Sequence, residues 1–297
     1  RDILFAAISF GSSFYLFLHA DPMQRWGWKS LAPWHALVAG AILLVMLIIG
    51  AKRTSGLAFC IICLVFAFFP LYTGFLPSFL HGMSFSLTKT ISLHSMGSES
   101  IIGIPMTVFG ETLIGFIIFG VALASWGGGD FFLKLAQSLL GHMRGGPAKV
   151  SIVASCLFGS MSGRVVSNVV TTGSITIPTM KRTGYPAHYA GAIETCASTG
   201  GCFMPPIMGA TAFVMASFLA LPYYKICLAA LIPALLYYLG LFMQADAYAA
   251  RAGLKGLPRE ESPSAWQTLK EGWFYIFAFA LLIYLLVYER IEVWAPY

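Results

Sequence analysis

Charged side chains are scarce in this sequence. Lysine, arginine, aspartate and glutamate together make up 10% of its 297 residues, whereas a soluble globular domain carries about 25%. Hydrophobic residues make up 58%, in runs such as LVAGAILLVMLIIGA and IFAFALLIYLLVY, and these runs approach the ~20 apolar residues that cross a bilayer. The shortage of charge therefore excludes an ordinary soluble domain and predicts a polytopic helical membrane protein.

The sequence also lacks the short motifs of several enzyme classes. It has no Walker-type phosphate loop and no H-E-x-x-H among its six histidines, which argues against ATP-driven transport and against a transition-metal site. Gly159–Gly163 carries the glycines of G-x-S-x-G, but Met161 is at its centre and the strand–turn–helix context is absent. We expect no enzyme activity and no cofactor other than a coupling ion; a membrane-embedded hydrolase is the alternative of another class.

Basic clusters with interleaved aromatic residues are absent too. The net charge of +6 is explained by lysines and arginines in short cytoplasmic loops, which orient a membrane protein, so we expect no nucleic-acid partner. The hydropathy predicts seven spans that contact the lipid bilayer, at residues 3–20, 31–50, 55–75, 101–125, 187–217, 222–245 and 268–288.

One polar stretch interrupts the apolar sequence. In GSMSGRVVSNVVTTG, residues 159–173, ten of fifteen residues are glycine or polar, and the apolar arms on either side are too short for two spans. If residues 147–183 form a hairpin that enters and leaves on one side, twelve lysines and arginines lie on that side and five on the other; one crossing would give eight and nine. The positive-inside rule therefore predicts a re-entrant hairpin that enters from the cytoplasm.

A second interruption follows in the next apolar segment. Residues 187–217 resemble one long helix broken by Thr199-Gly200-Gly201 and by Met204-Pro205-Pro206, because glycine weakens a helix and proline removes an amide donor. A hairpin beside a discontinuous helix indicates a transporter binding site. Small and hydroxyl residues also mediate ordinary helix packing, which is the alternative explanation for either segment.

At these residues the sequence resembles the permease of tripartite ATP-independent periplasmic (TRAP) transporters, and most closely the fused type that serves TAXI-class binding proteins. The resemblance rests on IIGIPMTVFGETLIGFIIFG, GGGDFFLKLA, GSMSGRVVSNVVTTGSITIPTMKRTGYP and AGAIETCASTGGCFMPPIMGATAFVMASFL. It implies an all-α, elevator-type ion transporter of the bacterial inner membrane, with one inverted repeat in this chain. It further implies that a periplasmic solute-binding protein delivers a small organic anion, which sodium drives inward.

The resemblance also implies site residues. Sodium-binding positions correspond to Ser160, Ser162, Gly163, Asn168, Thr199 and Gly200. Substrate-binding positions correspond to Ser167, Asn168, Thr171, Thr172, Met204 and Pro205.

Arg164 and Glu194 are weighed separately because both are ionisable residues inside apolar segments. Arg164 stands where the family usually has a small residue, so it could pair with a substrate carboxylate or with Glu194, occupy the sodium position, or extend into an aqueous cavity. Glu194 is a candidate coupling residue, or else a buried, hydrogen-bonded acid.

The family fold contains two inverted repeats, whereas this sequence shows one hairpin and one broken helix. We therefore expect a small-subunit-like part at residues 1–54, the first repeat of the transport domain at 55–250, and a cytoplasmic loop with a further span at 251–297. The second half of the permease would then be a missing partner. A sodium- or proton-coupled anion transporter that needs no binding protein is the alternative function.

Overall fold

A computed structural model describes residues 2–77, 79, 81–258, 262–289 and 293–296. The predicted all-α class is confirmed, since this described part of the chain consists of helices and loops without a β-strand. Its helices are α1 Asp2–Leu18, α2 Ala20–Arg25, α3 Trp34–Ala67, α4 Phe69–Tyr72, α5 Leu87–Met96, α6 Ile104–Val108, α7 Ile114–Ser125, α8 Gly128–Leu140, α9 Gly146–Ser162, α10 Val165–Arg182, α11 Ala187–Gly200, α12 Ala210–Phe218, α13 Tyr223–Arg251 and α14 Ala265–Tyr284.

Four stretches of helix in the described residues are long and apolar enough to cross a membrane, so the protein is a multi-pass membrane protein. They are Trp34–Ala67, Ile104–Ser125, Tyr223–Arg251 and Ala265–Glu289. The apolar α1 has 17 residues, slightly fewer than the ~20 that span a bilayer. The predicted span at 187–217 is not continuous, because α11 ends at Gly200 and α12 begins at Ala210.

The chain divides into two compact units, Arg1–Thr107 and Val108–Tyr297. In the first unit α3 contains one non-helical residue, Gly56, with φ +86°, a conformation that favours glycine. The Cys60 thiol lies 3.8 Å from the Ile48 carbonyl oxygen, so the chain folds back at Gly56. The two separate spans predicted at 31–50 and 55–75 correspond to the two sides of this bend. The predicted boundaries at residues 54 and 250 rest on the resemblance and stay predictions.

In the second unit, α9 and α10 form an antiparallel helical hairpin that turns at Gly163 and Arg164. Gly163 has φ +59° and Arg164 is extended, which reverses the chain in two residues. Ser155 on α9 lies 3.0 Å from Thr172 on α10, and the ends meet where the Tyr185 hydroxyl donates to the Gly145 carbonyl at 3.5 Å. The two ends of the hairpin therefore lie next to each other, opposite the turn.

The broken helix runs antiparallel to α13. The Tyr238 hydroxyl donates to the Ala197 carbonyl of α11 at 2.9 Å, and the ring of Tyr223 stacks on that of Phe213 of α12 at 4.0 Å. Tyr223 at the start of α13 therefore contacts α12, and Tyr238 further along α13 contacts α11. Because α13 meets the two halves of the broken helix in reverse order, α12 continues the direction of α11. The break at residues 201–209 therefore lies beside the interior of α13 rather than at either end.

The base of the hairpin is fixed by buried groups. Lys149 is 3% exposed and donates to the Asp246 carboxylate of α13 at 2.6 Å, and Arg144 pairs with the same carboxylate. Burial raises the pKa of the Tyr185 phenol to about 12, so its hydroxyl keeps the proton that it donates to Gly145. These contacts hold the base of the hairpin against the C-terminal half of α13.

Candidate functional site

The turn of the hairpin packs directly against the break in the second helix. A Cβ atom added to Gly159 would lie 2.6 Å from the Cα of Gly201, so the two backbones touch without intervening side chains. The Ile207 amide donates to the Ser160 carbonyl at 3.2 Å. A Cβ atom at Gly163 would lie 1.9 Å from the Met208 carbonyl oxygen. Glycine at these positions is required by the close approach.

The turn carries the hydroxyl oxygen of Ser162 and the carbonyl oxygen of Gly163. The Ser162 hydroxyl is one of two buried side-chain polar atoms in the described residues that have no hydrogen-bond partner. Beside it, the Gly163 carbonyl accepts from the Cys202 thiol at 3.5 Å. A buried hydroxyl without a partner costs free energy, which makes Ser162 the residue of this turn that most needs an additional ligand.

The structure brings three of the six predicted sodium-binding residues to this contact; a fourth, Gly200, precedes Gly201 but packs against the Tyr238 ring of α13. Ser160, Ser162 and Gly163 form the end of α9 and the turn, and Gly200 is the last residue of α11. The Ser160 hydroxyl already donates to the Leu157 carbonyl at 2.8 Å.

The other two predicted sodium-binding residues, Thr199 and Asn168, do not offer a free side-chain oxygen to the turn. Thr199 is exposed and donates to the Thr195 carbonyl of its own helix. Asn168 directs its amide nitrogen to the Ser155 carbonyl at 2.8 Å, and its amide oxygen faces the Thr172 hydroxyl at 3.2 Å.

A fully buried carboxyl group lies on α11, one to two helical turns before the break, and faces the hairpin. Glu194 has no exposed surface, and its two oxygens accept hydrogen bonds from five hydroxyl groups on three helices, at 2.5 to 3.2 Å. We call this group the Glu194 cluster: Glu194 with Ser151, Ser155, Thr172, Thr176 and Ser198.

Sequence reasoning found Glu194 and Thr172 but missed the other four hydroxyl groups. Their spacing carries the signal, because residues four apart lie on one face of a helix. Ser151 and Ser155 on α9, Thr172 and Thr176 on α10, and Glu194 and Ser198 on α11 are three such pairs. Hydroxyl pairs at this spacing on consecutive helices, together with one carboxylate, predict a shared polar contact.

The predicted substrate residues lie in three different environments. Asn168 and Thr172 are buried between the helices. Ser167 and Thr171 are on the exposed side of α10, and Met204 and Pro205 belong to the break, where both are partly buried. The described residues therefore do not join all six into one surface.

Arg164 is exposed at the turn of the hairpin. The described residues contain four ion pairs, and none of them involves Arg164. The alternative in which Arg164 pairs with Glu194 is not what this structure contains, because Glu194 is enclosed by hydroxyl donors. Arg164 directly precedes the first turn of α10, where unpaired amides already favour an anion.

Comparison with known proteins gives a consistent result. The family model "Tripartite ATP-independent periplasmic transporter, DctM component" matches residues 41–296. The C4-dicarboxylate TRAP transporter large permease protein DctM of Pseudomonas aeruginosa is 32% identical over 143 residues, 48% of this chain and 32% of that protein. The isethionate TRAP transporter permease protein DctMQ of Oleidesulfovibrio alaskensis is 28% identical over 172 residues, covering 58% and 25%.

A third relative, the sialic acid TRAP transporter large permease protein SiaM of Vibrio cholerae, is 27% identical over 156 residues, 52% of this chain and 36% of that protein. The matches thus cover about a quarter to a third of each relative's own length. These relatives are transporter components and not enzymes, which agrees with the missing enzyme motifs. The chain belongs to the DctM family of TRAP transporter permeases.

Proposed function

We propose that this chain forms part of a secondary transporter that imports a small organic anion, driven by sodium. The observation that carries this proposal is the contact between the hairpin turn and the helix break, where backbone glycines meet and where the turn also carries the buried, unpartnered hydroxyl of Ser162. Interrupted helices inside a membrane are tolerated where they line a cavity or a binding site. The names of the relatives, which include carriers of dicarboxylates, isethionate and sialic acid, support an organic anion as the substrate.

In this proposal the hairpin is re-entrant and opens to the cytoplasm. Two facts support it: its ends lie together at Gly145 and Tyr185, and the break that its turn contacts lies beside the interior of α13, a helix long enough to span. The turn would then stop inside the bilayer. The excess of lysines and arginines at the hairpin base gives the orientation.

Sodium would bind at the turn through oxygen atoms. The Ser162 hydroxyl and the carbonyl of Gly163 are the nearest candidates, with Ser160 beside them. Asn168 could contribute only if its amide rotated, and Thr199 only through its backbone, because of the hydrogen bonds their side chains make. Hard cations such as sodium prefer such neutral and carboxylate oxygens.

The organic anion would bind on the exposed side of the turn. Arg164 supplies a positive charge that pairs with no carboxylate among the residues the structure describes, and Ser167 and Thr171 present hydroxyl groups in the first turns after it. A carboxylate or sulfonate matches a guanidinium group through paired hydrogen bonds. Met204 and Pro205 of the break would face the less polar part of the molecule.

Membership of the family supports a choice of partners. We propose that a periplasmic binding protein of the TAXI class delivers the anion at the bacterial inner membrane. We further propose that a second repeat, which would complete both sites, moves with this one in an elevator motion. The narrow coverage of the relatives is in keeping with such a second part.

The test is uptake of radiolabelled organic acids by cells that produce the complete permease, with and without its binding protein, under imposed sodium or proton gradients. We expect uptake that needs both sodium and the binding protein. Ser162→Ala should raise the sodium concentration for half-maximal uptake, and Arg164→Ser should raise the substrate concentration instead. Uptake driven by protons alone, or uptake unchanged without the binding protein, would contradict the proposal in favour of the simpler anion transporter.

A further inference from the structure

The Glu194 cluster joins three helices through one side chain. Ser151 and Ser155 of α9 donate to the Glu194 oxygens at 2.6 and 2.9 Å. Thr172 and Thr176 of α10 each donate at 2.5 Å, and Ser198 completes the set from α11 itself. A carboxylate has about four lone-pair sites, so the acceptor capacity of Glu194 is fully used by hydroxyl groups.

The hydroxyl groups of Ser151, Ser155 and Thr176 bond to a residue on another helix, whereas Thr172 and Ser198 have an acceptor on their own helix. Hydroxyls in helices commonly donate to the carbonyl one turn earlier, as Thr179 does to Ile175 and Thr195 does to Gly191. The hydrogen bond of the Thr176 side chain goes to Glu194 instead, across the helix–helix contact. Bonds between helices fix their relative position, whereas bonds within one helix do not.

The cluster is connected to the hairpin turn through Asn168. Thr172, a member of the cluster, lies 2.8 Å from the Asn168 carbonyl and 3.2 Å from its amide oxygen. The Asn168 amide nitrogen donates to the Ser155 carbonyl and would lie 2.8 Å from a Cβ atom on Gly159. Gly159 in turn touches Gly201 of the break, so one continuous set of contacts leads from the carboxyl group to the turn.

The contact at the turn itself is held weakly. It has one backbone hydrogen bond, from Ile207 to Ser160 at 3.2 Å, and a thiol contact from Cys202 to Gly163 at 3.5 Å. Neither bond is comparable to the four hydroxyl–carboxyl bonds that reach Glu194 from α9 and α10, because the low dielectric of a buried site strengthens each of them.

From this contrast we propose that Glu194 is a positioning residue, which fastens both arms of the hairpin to α11 and thereby keeps the turn seated on the helix break. In this role Glu194 touches neither the ion nor the substrate. Loosening the cluster would expose the turn while the rest of the fold stays intact. The proposal does not depend on which ion or substrate the protein carries, so it can fail or hold separately from the proposed function.

Alkylation of the native Cys202 reports whether the turn is in place, because its thiol contacts the Gly163 carbonyl of the turn. The full chain in detergent would be treated with N-ethylmaleimide, and alkylation of each cysteine would be followed over time by peptide mass spectrometry. Cys60, buried in the first unit, is the internal reference. We expect Glu194→Ala to raise the alkylation rate of Cys202 about tenfold, the effect of losing roughly one to two net hydrogen bonds, with Cys60 unchanged.

Three further variants complete the test. Thr176→Val removes one donor with little change of shape and should raise Cys202 alkylation about threefold; it also serves if Glu194→Ala does not fold. Thr179→Val is the matched control on the same helix and should match wild type. Glu194→Gln, whose amide can still bond the hydroxyl groups, should restore the rate to within about twofold of wild type. Any one of three results would overturn the proposal. They are a wild-type alkylation rate at Cys202 in folded Thr176→Val, an equal increase of the alkylation rate at Cys202 and Cys60, and an alkylation rate in Glu194→Gln as high as in Glu194→Ala.

Discussion

The close approach of Gly159 and Gly201 allows a quantitative prediction. In Gly159→Ala the new methyl carbon would lie 2.6 Å from the Gly201 Cα and 2.8 Å from the Asn168 amide nitrogen. A backbone atom cannot rotate away, so α9 and the break must separate by several tenths of an ångström. Overpacking of this kind costs ~1–3 kcal/mol. We therefore expect the free energy of unfolding to fall by about that amount.

Gly191→Ala is the matched control. Gly191 is also helical, in α11, but a Cβ atom there has no neighbour within 4 Å. Without a clash, alanine in a helix is more stable than glycine by about 0.5–1 kcal/mol, because glycine loses more backbone entropy on folding. The same chemical change should thus destabilise the protein at residue 159 and stabilise it at residue 191.

The assay is thermal unfolding of the two purified variants and the wild type in one detergent at one scan rate. A change of 1 kcal/mol shifts Tm by about 2–4 °C for a folded unit of roughly 150–250 residues. Gly159→Ala should therefore unfold about 2–12 °C below wild type and Gly191→Ala slightly above it. If Gly159→Ala were as stable as Gly191→Ala, the two backbones would not be in contact and the geometry of the candidate site would be wrong.

Two further predictions concern the base of the hairpin. Asp246→Ala leaves the buried ammonium group of Lys149 without its carboxylate and should lower Tm clearly. Asp21→Ala, which breaks an exposed pair, should change stability by less than about 1 kcal/mol in the same unfolding assay, and equal effects of the two changes would contradict the burial of Lys149. Cysteines introduced at Met143 and Lys181, at the two ends of the hairpin, should react with a membrane-impermeant maleimide from the same side of the membrane, and labelling from opposite sides would refute the re-entrant arrangement.

How much of the fold the sequence predicts depends on the kind of signal. The reversal at Gly163 and the break after Gly200 were predictable, because glycine and proline act locally on the backbone. The bend at Gly56 lies near the gap between two predicted spans, but that gap was predicted from hydropathy and not from the glycine. Local signals of this kind depend little on tertiary context.

The interior of the site was harder to predict, because it depends on which helix faces meet. Asn168 and Thr172 stand in the same polar stretch as Ser167 and Thr171, yet the first two are buried toward Glu194 and the other two are exposed. A rotation of about 100° per residue separates these faces. Lys149 and Asp246 are nearly a hundred residues apart, and only the antiparallel register of α9 and α13 brings them together.

The contact between two glycines also limits how this protein can evolve. Both residues in this contact lack a side chain, so nearly every substitution adds atoms to space that is already occupied. Under the proposed function, we expect adaptation to a new cargo to act on neighbouring exposed positions such as Arg164 and Ser167 and to leave the glycine pair unchanged.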